Sequence, residues 1–229
     1  LIEAGLPDGV INLVYVNGFE IFRPYLVRSG QQEGLSFINP ELAGSVNFYN
    51  GGFQAKYGDK MSSVLEVQYK KPKQSGGSAY VSLLEQGFHV EGFSKDQKFT
   101  YLAGVRNRSN RNLLSAQETK GNYTPSSSDI QALLTYRIND KCQVEMLANY
   151  SGTRFILVPE EAKLTSSVLS PLFSANLGLD IYFEGREEDR YATKMIGVSA
   201  LQTISPRLKL KWLMSRFEDD EQEAYDIWG

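Results

Sequence analysis

Between residues 99 and 151 the chain keeps a two-residue rhythm of apolar and polar positions, the signature of an extended backbone with one apolar face. Phe99, Tyr101, Ala103 and Val105 fall on one side of the first segment, and Thr100, Gly104 and Arg106 on the other. Residues 129–138 repeat it, with Ile130, Ala132, Leu134, Tyr136 and Ile138 opposing Asp129, Gln131, Leu133, Thr135 and Arg137. Residues 143–151 do so again, with Val144, Met146, Ala148 and Tyr150 opposing Gln143, Glu145, Leu147, Asn149 and Ser151. Residues 196–200 and 210–214 carry the pattern less cleanly, and Gln202 interrupts the apolar side. The pattern predicts long strands, each with a single apolar face.

The connections between these segments alternate in length. Turns at 94–97, 139–141 and 205–207 are tight, whereas 108–128 and 153–191 read as long polar excursions. Outer-membrane barrels have short turns at one end, long loops at the other, an apolar lipid face and a polar lumen. A soluble sandwich has no reason to gather its long loops at one end, but it is the competing arrangement. Phe99, Tyr136, Tyr150 and Trp212, near strand ends, suit interfacial girdles, or equally the aromatic face of a sandwich.

The first seventy-odd residues have a different texture. Residues 13–16, Asn17-Gly18 and residues 19–22 read as strand, two-residue turn and strand, the strongest local hairpin signal. Residues 23–34 look like a polar loop. Asn39-Pro40-Glu41-Leu42-Ala43-Gly44 is a one-turn helix signal, with a capping Asn, a first-turn proline and acid, and a terminal glycine. Residues 45–49 form a short strand. Asn50-Gly51-Gly52 and Gly58-Asp59 then bracket a hairpin feeding a strand from Ser63, with Leu65, Val67 and Tyr69 on one face and Val64, Glu66 and Gln68 on the other. The basic, proline-broken run 70–77 reads as a boundary between two units, 1–73 and 74–229.

Composition narrows the function. With 229 residues, 41% hydrophobic and 22% charged, the chain belongs with folded proteins. A net charge of -3 and the lack of a dense basic cluster argue against a nucleic-acid partner. No run approaches the roughly 18 apolar residues of a spanning helix, which leaves a barrel open. One cysteine, Cys142, excludes an internal disulfide and reads as packed rather than reactive, and with His89 alone it is too little for a zinc site. His89 and Glu91, two apart on one face, form a candidate ion pair without a nucleophile nearby. Acidic runs at 183–190 and 217–221 lack the ligand spacing of a calcium loop and read as solvated outer loops. Glu160-Glu161 and Glu187-Glu188 offer carboxylates but no defined separation for a glycosidase pair. The chain is therefore expected not to be an enzyme and to carry no cofactor.

Three stretches carry a family resemblance: residues 12–22 around Asn17, Gly18 and Phe19, residues 37–41, and residues 49–65 with Gly51, Gly52, Phe53, Tyr57, Gly58 and Asp59. Together they resemble the later half of the plug domain of TonB-dependent outer-membrane receptors, of the type in which a carboxypeptidase-regulatory-like domain often precedes the plug. Residues 77–229 are similar to the first barrel strands of that family. The resemblance implies a mainly β fold, with a plug fragment (1–73) followed by about seven strands (74–229) of a large antiparallel transmembrane β-barrel. Such barrels have about 22 strands, so the chain reads as a fragment. The family's energy-coupling box, signal peptide and first plug half are not recognisable in residues 1–12.

What the resemblance implies in function is import of a scarce large ligand, an iron chelate, a cobalamin or a glycan, across a Gram-negative outer membrane. The implied partners are outer-membrane lipid and an inner-membrane TonB-type energy transducer, with a surface lipoprotein or other outer-membrane proteins as further candidates. Arg106, Gln131, Arg137, Glu145 and Asn149 are the expected lumen-facing residues, in contact with plug or ligand. The alternative is a receptor-like barrel acting as a non-transporting scaffold in an outer-membrane insertion or secretion assembly.

Overall fold

The structure is a computed structural model that describes residues 13–22, 28–29, 32–33, 36–50, 54, 56–57, 63–109, 121–159, 162–170, 173–182 and 184–228. It is all β: the described residues hold strands and turns and no helix. Strands β1 (Leu13–Val16), β2 (Phe19–Glu20), β5 (Ala43–Tyr49) and β6 (Val64–Tyr69) make a four-stranded sheet in the order β2-β1-β6-β5. Between β2 and β5, β3 (Arg28–Ser29) and β4 (Gln32–Glu33) form a two-rung ladder.

The rest of the chain is a seven-stranded antiparallel sheet in the order β15-β14-β11-β10-β9-β8-β7. Its strands are β7 (Gly76–Val81), β8 (Glu85–Phe93), β9 (Phe99–Ser109), β10 (Gly121–Asn139), β11 (Cys142–Pro159), β14 (Glu184–Ser205) and β15 (Leu208–Trp228). The hairpin of β12 (Ala162–Ser170) and β13 (Phe173–Ile181) stands between β11 and β14 and pairs only with itself. The sheet is a barrel segment that does not close. Among the described residues β7 and β15 each pair on one side only, leaving a row of backbone donors and acceptors along both edges.

The N-terminal sheet lies against the polar face of the long one. Val16, Phe19, Ile21, Leu42, Val67 and Tyr69 share one core with Leu102, Leu133, Leu147 and Met195, which come from the face that also carries Arg106, Gln131 and Asn149. The opposite, apolar face is uncovered. Ile130, Tyr150, Val198, Trp212 and Met214 stand on it, Trp212 67% and Met214 77% exposed. A water-soluble sheet buries its apolar face first. Here the order is reversed.

Register makes that apolar face a coherent band. The row of paired residues through Phe99 runs across Tyr136, Val144 and Ala200 to Trp212, so three aromatic residues lie on one line. On β9 the apolar run begins at Phe99 and ends at Val105; on β15 it begins at Leu208, four residues before Trp212, and ends at Met214. The band thus slides by about 14 Å along the strands while crossing about 19 Å of sheet. It is level only if the strands incline by about 35°, the tilt that barrel closure imposes. From Ile130 to Ile138 the band covers about 27 Å of strand, or about 22 Å once tilted, close to the height of a lipid-facing belt.

Several expectations need correction. The excursions at 108–128 and 153–191 are largely strand, because β10 begins at Gly121, β11 continues to Pro159 and β14 starts at Glu184. Beyond the band the two faces no longer differ, polar on both in residues 184–190 of β14 and apolar on both at Phe155-Ile156-Leu157-Val158 of β11, so the alternation stops although the hydrogen-bonded ladder does not. For the same reason the acidic runs near 184–190 and 217–221 lie in strands, not loops. The expected helical turn at 39–44 is a single hydrogen-bonded turn, with Leu42 N donating to Asn39 O (3.1 Å) and Ala43 N to Pro40 O (3.2 Å) before β5 begins. Asn39 still caps it, accepting from Glu41 N at 3.0 Å. β6 has two buried faces: Val67 and Tyr69 face the long sheet, while Val64 packs with Leu13 and Tyr57.

Candidate functional site at the contact between the sheets

The hairpin expected at Asn17-Gly18 forms with both residues at positive φ, 53° and 89°, the geometry that Asn and Gly tolerate best. Its tip points into the long sheet. Asn17 is buried and its Oδ1 accepts from Tyr69 N at 2.8 Å, joining the hairpin to β6. Lys211 Nζ of β15 donates to Asn17 O at 3.1 Å, so the hairpin is also held to the wall. Phe19 rests on Gly197 of β14, and Leu42 and Asn39 on Gly104 of β9, where a Cβ would come within 2.9 Å of Asn39 Nδ2. Two wall glycines on the polar face therefore mark where the N-terminal sheet comes closest.

Above the hairpin, one buried polar network ties the sheets together. Arg106 Nε and Nη2 donate to Asp129 Oδ1 (2.9 Å) and Oδ2 (2.7 Å), a two-pronged pair between neighbouring strands. The same guanidinium donates Nη1 to Ile38 O (2.9 Å) and Nη2 to Ser36 O (2.8 Å) of the N-terminal unit. Gln131 Nε2 donates to Phe37 O between them and to Asp129 Oδ2 at 3.0 Å, and its Oε1 accepts from Tyr69 OH at 2.5 Å. Three consecutive carbonyls, at 36, 37 and 38, are thus bound by two wall side chains. Burial pushes the Tyr69 phenol well above its usual pKa, which keeps it a donor.

Of the residues singled out from the sequence, Arg106 and Gln131 meet in this network. Glu145 and Asn149 lie on the same buried face: Glu145 accepts from Gln143 Nε2 at 2.8 Å and faces Lys71 Nζ at 3.6 Å, while the Asn149 amide has no hydrogen-bond partner among the described residues. Arg137 shares their strand face but stands exposed at the turn end, where its Nη2 donates to Gln97 O at 2.8 Å. Tyr57 is buried against Tyr15 and Tyr49, with ring centres 5.2 and 5.9 Å away, and Lys56 stands 4.5 Å over its ring. Gly51, Gly52, Phe53, Gly58 and Asp59 lie outside the described residues. His89 faces Glu41 (3.5 Å) and Ser78 (2.6 Å) rather than the expected Glu91. Strand pairing explains the change, since it sets His89 opposite Ser78 and turns both toward the 39–42 turn.

Asp129, Tyr69 and Lys211 were not legible as site residues. Asp129 reads as the polar phase of one strand and Arg106 as that of another, and nothing local says that the register pairs them. Gly104 gave the available hint, a small residue on the polar side of a regular strand.

Among the described residues no group of His, Cys, Asp and Glu is placed to hold a metal ion. No family model matches the chain, and no curated protein matches it in sequence. Among solved structures, it is similar to the crystal structure of the siderophore receptor PirA from Acinetobacter baumannii, with 15% identity and a TM-score of 0.48. That match covers 90% of this chain and 40% of the receptor.

Proposed function

We propose that the chain is part of a TonB-dependent outer-membrane receptor, in which the N-terminal sheet is the plug and the long sheet the first barrel wall, and which imports a scarce large ligand. The observation that carries this reading is the reversed sidedness. The chain buries Arg106, Asp129, Gln131 and Asn149 against its own N-terminal unit and leaves Ile130, Tyr150, Val198 and Trp212 outside. An apolar band of that height is costly in water and favoured in hydrocarbon. Two open edges further require strands not present here.

In this reading the work is gating, not bond making. The hydrogen bonds from Arg106 and Gln131 to the 36–38 carbonyls hold the plug against the wall at rest, and a pull from an inner-membrane energy transducer breaks them. Dispersed polar contacts suit this role because water entering the gap can replace each one in turn.

The test uses the full-length protein in its own outer membrane. Nitroxide labels at Val105→Cys and Val198→Cys, in a Cys142→Ser background, should be relaxed by oxygen and shielded from a water-soluble nickel chelate. A label at Ser199→Cys should not show that lipid signature. Relaxation of the Val105 and Val198 labels by the nickel chelate would sink the barrel reading. For transport, cells lacking the gene should lose energy-dependent uptake of one member of a panel of iron chelates, cobalamins and glycans. Uptake unaffected across the panel would count against import.

A further inference from the structure

The upper part of the β14–β15 hairpin, beyond the apolar band, sorts its charges by face. On the outward side, carboxylates are matched by cations. Glu188 is held by Arg190 (2.7 Å), Arg154 (2.8 Å) and Arg186 (3.3 Å), Glu218 by Arg216 (3.3 Å), and Asp220 lies 3.8 Å from Lys194. The inward side beyond Met195 and Phe217, on their face, carries Glu187, Asp189, Asp219, Glu221 and Glu223 and no basic residue of either strand in this upper part. Register sets Asp189 directly opposite Glu223, with Glu187 two residues away on the same face. Like charges placed opposite one another destabilise a sheet pair.

Hydrogen bonds absorb only part of this. Thr193 Oγ1 donates to Asp219 Oδ1 at 2.7 Å and Tyr191 OH to Glu223 Oε1 at 3.0 Å. Asp189 is 4% exposed, and its Oδ1 has no hydrogen-bond partner among the described residues. A buried carboxylate oxygen facing two further carboxylates calls for a positive donor. The described carboxylates are not grouped closely enough to chelate a metal ion. The geometry suits a cation that donates hydrogen bonds to separate carboxylates.

We infer that Glu187, Asp189 and Glu223 form a binding site for an ammonium or guanidinium group of a ligand entering from the long-strand end. The site lies inside the lumen only if the plug-and-barrel reading holds. Binding itself does not need that reading. Lys209 and Lys211, on the same inward face of β15 near the turn end, make the face acidic above and basic below, so a cationic group is drawn to the acidic end and repelled further in.

The test measures binding of spermidine, of a tetra-arginine peptide and of calcium to the full-length protein in detergent, by titration calorimetry. Saturable binding of at least one organic cation is expected, weakened at least tenfold in Glu187→Gln/Asp189→Asn/Glu223→Gln and unchanged in the outward control Glu218→Gln/Asp220→Asn. Spermidine binding alone would point to a small polyamine-like ligand, peptide binding alone to a basic chain segment. No saturable organic-cation binding, equal loss in the outward control, or calcium binding with both organic probes inert would overturn the proposal. Should the triple variant not assemble, Asp189→Asn alone carries the comparison. Quenching of Trp212 by brominated lipid, read on the same samples after reconstitution, reports the barrel separately. Quenching retained without cation binding sinks this site alone.

Discussion

The ring of Phe19 lies against the bare backbone of Gly197, so close that a methyl group there would stand 2.8 Å from Phe19 Cε1. One residue belongs to the N-terminal hairpin and the other to β14, 178 positions later in a chain whose two sheets meet at this point. The contact sets how deeply the hairpin seats. Replacing Gly197 with Val should lift the hairpin from the wall and cost about 1–3 kcal/mol through overpacking. The full-length protein should show a lower thermal midpoint and faster proteolysis of the N-terminal unit. An unchanged midpoint and unchanged cleavage would mean that the two sheets do not meet here.

Among the described residues Asp129 is the only carboxylate that Arg106 grips, and both are buried. Asp129→Asn leaves the guanidinium without its counter-charge and should cost about 3–5 kcal/mol. Arg106→Met combined with Asp129→Leu should cost less than Asp129→Asn alone, because it removes both charges. A double-mutant cycle on denaturant unfolding measures the difference. Additive losses would show that the pair is not coupled.

Asn17 does two jobs, adopting a positive φ and accepting from Tyr69 N. Asn17→Gly keeps the turn and loses the bond, while Asn17→Ala loses both. Stability should fall by about 1–3 kcal/mol in the glycine variant, the cost of an unpaired buried amide, and further in the alanine variant. Hydrogen exchange at the Tyr69 amide should accelerate in both. Protection kept in either variant would contradict the contact.

Val198 stands on the apolar face and Ser199, its neighbour, is buried toward the N-terminal unit. If the face meets lipid, Val198→Arg should hinder membrane assembly by about 2–4 kcal/mol. Lipid-insertion yield and heat-modifiable gel mobility would register it. A sheet facing water would accept the arginine freely, so full assembly of this variant is the adverse result.

Glu66 offers a check on pH. Burial works against its charge, yet the nearby Tyr57 hydroxyl, hydrogen bonds from Lys56 and Gln68 and the Lys56 ammonium at 3.3 Å hold its pKa below the ordinary carboxylate value. A depressed folded pKa means that the carboxylate supports folding above its unfolded pKa. That support is lost as pH falls through the folded value. Wild type should therefore lose stability on acidification more steeply than Glu66→Gln in that acidic range. Parallel pH profiles would show that Glu66 contributes no such linkage.

The sequence by itself determined the strands between 99 and 151, their single apolar faces, the Asn17-Gly18 hairpin and the tight turns, because these depend on neighbours one to four positions apart. It could not show that strands persist beyond Val105 and Tyr150, since a ladder whose two faces are alike, as at Phe155-Ile156-Leu157-Val158, leaves no alternation. Nor could it show that β1 lies parallel to β6, Leu13 opposite Val64, or that Arg106 finds Asp129 and then the 36–38 carbonyls. Those pairings join residues tens of positions apart, and many registers satisfy the same local pattern. Only the assembled sheets select one, by letting a small residue such as Gly197 admit Phe19 and by bringing the buried Arg106 guanidinium to the Asp129 carboxylate.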